Sequence, residues 1–213
     1  NYSVTDNINV NNCWYSRDGG ITNSTLVAAG TNFTGITSTE GSNTWTVYCN
    51  DSVGNTNQTN VTFSKDTIKP LINFTSQTEN SGTIFLDRDY IIVNVTASDS
   101  GSGLKNITIF LYNSTSGLIN STNGTASSLY ANFTNLANGL YFFNATAYDV
   151  AGNLNKTETR NVTITFDITN PAINITYPLN ATYNYNVSEL NYSYFDVNPG
   201  SCWYSRDSGT TNS

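Results

Sequence analysis

Asp66, Asp99 and Asp149 are the residues of this chain best suited to hold a ligand. Asp66 heads a Pro-containing linker, Asp99 lies among Ser and Gly, and Asp149 opens Asp-Val-Ala-Gly-Asn, all places where a carboxylate suits turn geometry. If the runs fold as a two-sheet sandwich, one linker and two loops carry these three aspartates to the same end. Calcium takes about six to eight oxygen ligands, carboxylates prominent among them. Calcium is therefore the only cofactor the sequence suggests. The plainer alternative is that each aspartate caps its own turn. Asp167 and Asp196 recur in equivalent places, and Asp51 stands where Asp149 does, so the arrangement is periodic.

Cysteine chemistry comes next. Cys13, Cys49 and Cys202 are the cysteines, and none sits in the CxxC spacing of metal or redox sites. Cys13 to Ser24 reads CWYSRDGGITNS and Cys202 to Ser213 reads CWYSRDSGTTNS, identical at ten of twelve positions. Cys202 is thus a repeat copy of Cys13, and Cys49 is left as the partner of Cys13. Such a disulfide closes a loop of about 36 residues and contributes roughly 3–4 kcal/mol in the chain-entropy model. It also implies an oxidising, extracytoplasmic setting. Two buried free thiols are the alternative.

Asparagine supplies a third chemistry. About twenty Asn-X-Ser/Thr triplets are present, each an N-glycan acceptor in a secreted protein. Candidate sites are Asn23, Asn32, Asn57, Asn60, Asn73, Asn94, Asn106, Asn113, Asn120, Asn132, Asn144, Asn155, Asn161, Asn174, Asn180 and Asn186. Many have an apolar middle residue. On a strand that residue points to the core while Asn and Thr face water. Compositional drift towards Asn and Thr is the competing explanation.

Composition removes other functions. Eight Lys and Arg against 15 Asp and Glu give a net charge of −7, with no His and no Met. A Ser-His-Asp triad and His-ligated zinc both need histidine. Nucleic-acid binding needs a basic footprint, which is missing. No apolar stretch has the length of a signal h-region or a membrane span. No paired-carboxylate motif, phosphate loop or activated nucleophile is visible, so the chain is not expected to be an enzyme.

The elements that must position these residues are strands. Val61–Phe63, Tyr90–Ala97, Lys105–Leu111, Leu140–Tyr148 and Asn161–Phe166 alternate apolar and polar. Ile173–Tyr177 and Val187–Phe195 continue the series, and a further strand is expected to start at Cys202, as at Cys13. No amphipathic helix is evident. Asp66-Thr-Ile-Lys-Pro70 recurs as Asp167-Ile-Thr-Asn-Pro171, marking two linkers. Three units follow. Residues 1–66 hold the cysteine pair and lack a first strand, 71–167 form a complete cysteine-free unit, and 171–213 begin another cysteine-containing copy. The middle unit has the size of an immunoglobulin-like (Ig-like) sandwich of about seven strands. The expected class is all-β, with tandem Ig-like domains. In such a sandwich the disulfide joins neighbouring strands of one sheet.

Linkers of the form D-T-x-x-P, a strand running into D-x-(A/V)-G-N (Asp51–Asn55, Asp149–Asn153), and the CWYS-x-D segment give a resemblance. Over essentially its whole length the chain resembles the tandem Ig-like repeat domains of bacterial and archaeal surface proteins. That resemblance implies a β-sandwich and an extracellular or cell-surface location, but no activity. The function expected is structural: a segment of a long extracellular, glycosylated fibre or surface stalk. Its partners would be neighbouring copies of the repeat and covalent N-glycans. A cell-surface adhesin or carbohydrate-binding module is the alternative.

Overall fold

A computed structural model of the chain describes residues 1–211, and among them are fifteen strands and no helix. The most complete unit is a two-sheet, Ig-like sandwich. One sheet holds β5 (Leu71–Phe74), β7 (Ile91–Ser98) and β10 (Ser128–Phe133), in the order β10-β7-β5. The other holds β6 (Thr83–Phe85), β8 (Leu104–Asn113), β9 (Leu118–Gly124), β11 (Gly139–Asp149) and β13 (Arg160–Ile164), in the order β6-β13-β11-β8-β9. The short β12 (Leu154–Lys156) pairs with β11, and β6 runs parallel to β13.

Alternation builds the core. Ile91, Val93, Val95 and Ala97 of β7 point inward and are buried against Ile107, Ile109 and Leu111 of β8 and Phe143, Ala145 and Ala147 of β11. Phe143 meets Phe74 edge-to-face at 5.7 Å, linking the two sheets. Full burial of such a ring is worth about 1.5–3 kcal/mol. The Tyr141 hydroxyl donates to the Ala137 carbonyl at 2.8 Å, the tyrosine corner found where strand F of an Ig-like fold begins.

Residues 1–65 form a four-stranded sheet in the order β2-β1-β3-β4. Its strands are β1 (Val10–Ser16), β2 (Val27–Ala28), β3 (Gly41–Asp51) and β4 (Thr56–Lys65). Cys13 lies directly opposite Cys49, and the two form a disulfide between neighbouring strands of one sheet. At the other end β14 (Ala172–Tyr177) and β15 (Asn191–Phe195) make an antiparallel pair.

Two expectations need correction. The strand expected over Val187–Phe195 covers only Asn191–Phe195, and Cys202 starts no strand. The second point has a physical cause. In both repeat copies the turn forms locally: Ser16 Oγ donates to Asp18 and accepts from the Gly20 amide, and Ser205 Oγ does the same with Asp207 and Gly209. The strand before the turn depends on a neighbour. Near Cys13 that neighbour is β3, whereas the 202–211 stretch lies beside no partner strand. The third sequence unit is thus described only as a hairpin and a turn, and residues 212–213 lie outside the described residues.

Candidate functional site

The three sequence-selected aspartates come together where a linker enters the central sandwich. Asp66 lies in the linker, Asp99 follows β7, and Asp149 ends β11. One carboxylate oxygen from each lies within 4.8 Å of the others. Asp66 Oδ1 accepts from the Ile68 amide at 3.0 Å and Oδ2 from the Ser102 amide at 2.7 Å. These bonds, led by Ser102, hold the Asp66 carboxyl below the ordinary carboxylate range. Asp99 Oδ2 accepts from the Gly101 and Gly103 amides, while its Oδ1 is buried and has no hydrogen-bond partner. Asp149 is fully buried. Its Oδ1 accepts from the Gly152 and Asn153 amides, and its Oδ2 from Asn153 Nδ2.

Backbone geometry permits this convergence. Gly152 sits at φ +99° in the turn after β11, a region L side chains rarely adopt. A Cβ on Gly101 would lie 2.5 Å from the Asp66 carboxyl carbon, so only glycine lets the loop after β7 pass that close. Each carboxylate caps a turn, and Asp99 Oδ1 alone of the capping oxygens is buried without a hydrogen-bond partner.

The linker itself is held from both sides. From the sandwich it precedes, Asn153 Nδ2 donates to the carbonyls of Asp66 (3.1 Å) and Ile68 (3.3 Å), and Asn155 Nδ2 donates to that of Pro70 (2.9 Å). Pro70 is buried there. From the preceding sheet, Glu40 accepts from the Thr67 amide and hydroxyl and pairs with Lys65 at 3.2 Å. The Thr67 bonds draw the Glu40 carboxyl below its ordinary value, with help from Lys65. Glu40 and Asn155 are the junction residues that motif reading missed. Glu40 has no sequence signature, and Asn155 reads from the sequence only as a glycan acceptor.

Asp167 and Asp196 border an open cleft with Leu86, Pro171, Tyr194 and Trp203. Asp51 lies in the first sheet, where it accepts from the Val53 and Asn55 amides and from Asn55 Nδ2, much as Asp149 does.

The glycan acceptors follow the strand pattern in the sandwich. Val95, Ile107, Phe133, Ala145 and Val162 are buried between their Asn and Thr neighbours. Asn73, Asn120 and Asn132 are exposed there, as are Asn23, Asn32, Asn57, Asn60, Asn174, Asn180 and Asn186 elsewhere. Asn106, Asn113 and Asn161 are half-buried. Asn94, Asn144 and Asn155 are half-buried too, and each commits its Nδ2 to a hydrogen bond. Trp14 stacks on Tyr48 at 5.6 Å, so it packs on the sheet surface.

No protein-family model matches the chain. No curated protein matches it either. Among solved structures it is similar to the fibronectin(III)-like modules of Clostridium thermocellum CbhA, at 14% identity and a TM-score of 0.38, over 77% of this chain and 83% of that one. CopC from Methylosinus trichosporium OB3b matches at 14% identity and TM-score 0.33, over 42% of this chain and 89% of CopC. Latent PorU from Porphyromonas gingivalis matches at 12% and 0.36, over 77% of this chain and 17% of PorU. Likeness at this level assigns no activity. Among the described residues no helix is long and apolar enough to cross a membrane.

Proposed function

We propose that this chain is a structural segment of a long extracellular, glycosylated stalk or fibre of tandem Ig-like units. The supporting observation is the linker, which is hydrogen-bonded by Glu40 on one side and by Asn153 and Asn155 on the other. A free tether would leave its backbone to water. A linker bonded at both ends limits bending between the units it joins, which is what a stalk requires. The Cys13–Cys49 bond, the dense acceptor triplets and the repeated CWYSRD segment fit the same role outside the cytoplasm.

Calcium is part of this proposal. Asp66, Asp99 and Asp149 would hold it, and the unpartnered Asp99 Oδ1 is the oxygen whose burial it would offset. The ion would supply charge neutralisation among three converging carboxylates. Small-angle scattering on the full chain tests the stalk role. Glu40→Ala is expected to broaden the distribution of interatomic distances without changing the β signal in circular dichroism. An unchanged distribution would show that Glu40 does not restrain the linker. Saturable binding of the chain to a glycan array or to cells would favour an adhesin instead.

A further inference from the structure

The solvent face of the larger sandwich sheet sets acceptor asparagines beside aromatic rings. On β8, β11 and β13, Asn106, Asn144 and Asn161 alternate with the buried Ile107, Ala145 and Val162 and so point away from the core. Each lies directly opposite a ring on the neighbouring strand: Asn106 opposite Tyr148, Asn144 opposite Phe110 and Asn161 opposite Phe142. The smaller sheet shows the same pairing, with Asn94 of β7 opposite Tyr130 of β10. Each of these asparagines begins an Asn-X-Thr triplet.

Asn161 has the most developed surroundings. Its Oδ1 accepts from the Gly82 amide at 2.9 Å, and its backbone amide donates to Ser81 Oγ at 3.2 Å, which fixes the side chain. Its Nδ2, the atom a sugar joins, has no hydrogen-bond partner among the described residues and reaches water. Phe142 beside it lies opposite Tyr112 in turn, and Tyr112 stacks on Phe110 at 6.1 Å. A strip of three rings therefore runs from Asn161 across β11 and β8. Leu118, 57% exposed, lies opposite Tyr112 and extends the strip onto β9. The three rings are half-buried, and among the described residues no other element packs over them. Apolar groups clustered on the water side of a sandwich add nothing to its core and are typical of contact surfaces.

We propose that this strip is a platform for the first sugar of an N-glycan on Asn161, with the C–H face of the pyranose lying on Phe142 and Tyr112. The inference rests on the reading of the chain as glycosylated and adds where the sugar lies and what it contacts. In attachment, the bond from the anomeric carbon to the phosphate of an activated carrier breaks and its electron pair leaves with the phosphate. The new bond forms to Nδ2, which loses one proton to solvent and keeps the other. The Oδ1 bond to Gly82 survives. A pyranose presents weakly positive C–H groups on one face, and these suit the negative face of an aromatic ring. Covering the rings also removes apolar area from water. The sugar thereby ties β13 to β11 and β8, and it stabilises the sheet instead of hanging from it.

The full chain secreted from a glycosylating host, with its glycans trimmed to single N-acetylglucosamine residues, tests this. Thr163→Val removes the acceptor triplet while leaving Asn161 and its Gly82 bond in place. Chains with and without that substitution are compared in the native ring background and with Phe142→Thr and Tyr112→Thr together. The sugar is expected to raise the melting temperature of the sandwich in the native background, and the rise should be lost in the ring variant. A second measurement needs no ring variant. Protons of the Asn161 sugar should shift upfield of those on a sugar at Asn73, which lies opposite Thr96. A rise equal in both backgrounds, or unshifted protons, would overturn the platform and leave glycosylation standing. An Asn161 left bare beside modified acceptors would overturn it too. Bare asparagines throughout would overturn the glycosylated reading with it.

Discussion

Asp149 is the residue on which the junction turns. It is fully buried and accepts three hydrogen bonds from Gly152 and Asn153, and Asn153 in turn grips the linker. Removing a buried charged acceptor strands its donors, so Asp149→Ala should cost about 3 kcal/mol, read by urea denaturation of the sandwich. Calcium gives a separate expectation. Adding the ion should raise the melting temperature of the wild-type chain, and Asp99→Asn should remove that rise. Equal melting temperatures with calcium and with chelator would eliminate the metal. Acid acts on Asp66 and Glu40, whose carboxyls titrate below their usual values in the folded chain. Their contribution is present above the unfolded pKa, about 4, and is lost as pH falls through the folded values. The linker should therefore loosen on acidification, seen as lower amide protection factors at Thr67 and Ile68, with neutral pH restoring protection. The meeting of Asp66, Asp99 and Asp149 was legible because Asp99 and Asp149 open loops marked by Gly or Asn and Asp66 heads the D-T-x-x-P linker. The Glu40 clamp was not, because a carboxylate 27 residues before its partner leaves no local pattern.

Strands divide in the same way between the legible and the hidden. β7, β8, β11 and β13 alternate apolar and polar residues because one face of each is buried, so their sequences state their structure. β9 (LINSTNG) and β10 (SLYANF) lie at sheet edges or carry few apolar residues, and β6 is three residues long. Tertiary pairing makes these strands, and periodicity could not show them. Energetics follow the layers. Phe143→Ala, which empties the centre of the core, should cost about 3–5 kcal/mol, whereas Val61→Ala on exposed β4 should cost little. Reducing Cys13–Cys49 should remove roughly 3–4 kcal/mol from the first sheet alone. Amide exchange resolved along the chain separates the two effects, since the sandwich should keep its protection after reduction.

The proposed stalk would be a periodic polymer in outline. Cys13 and Cys202 stand 189 positions apart in nearly identical contexts, and each aspartate-bearing linker leads into a strand pair of the same register. Exposed acceptor asparagines on the sheets give sugars room on the outside, while Asn155, bonded to the Pro70 carbonyl, is the acceptor most sheltered by the junction. Sugar coverage of exposed apolar positions such as Val61, Ile84 and Tyr130 would limit lateral sticking between fibres. Mass spectrometry of the native material puts a covalently continuous, glycosylated fibre to the proof. Expected is a polypeptide much longer than 213 residues, with CWYSRD-type peptides recurring and sugar on the exposed acceptors but not on Asn155. A native polypeptide carrying only one such unit, with bare asparagines throughout, would contradict it.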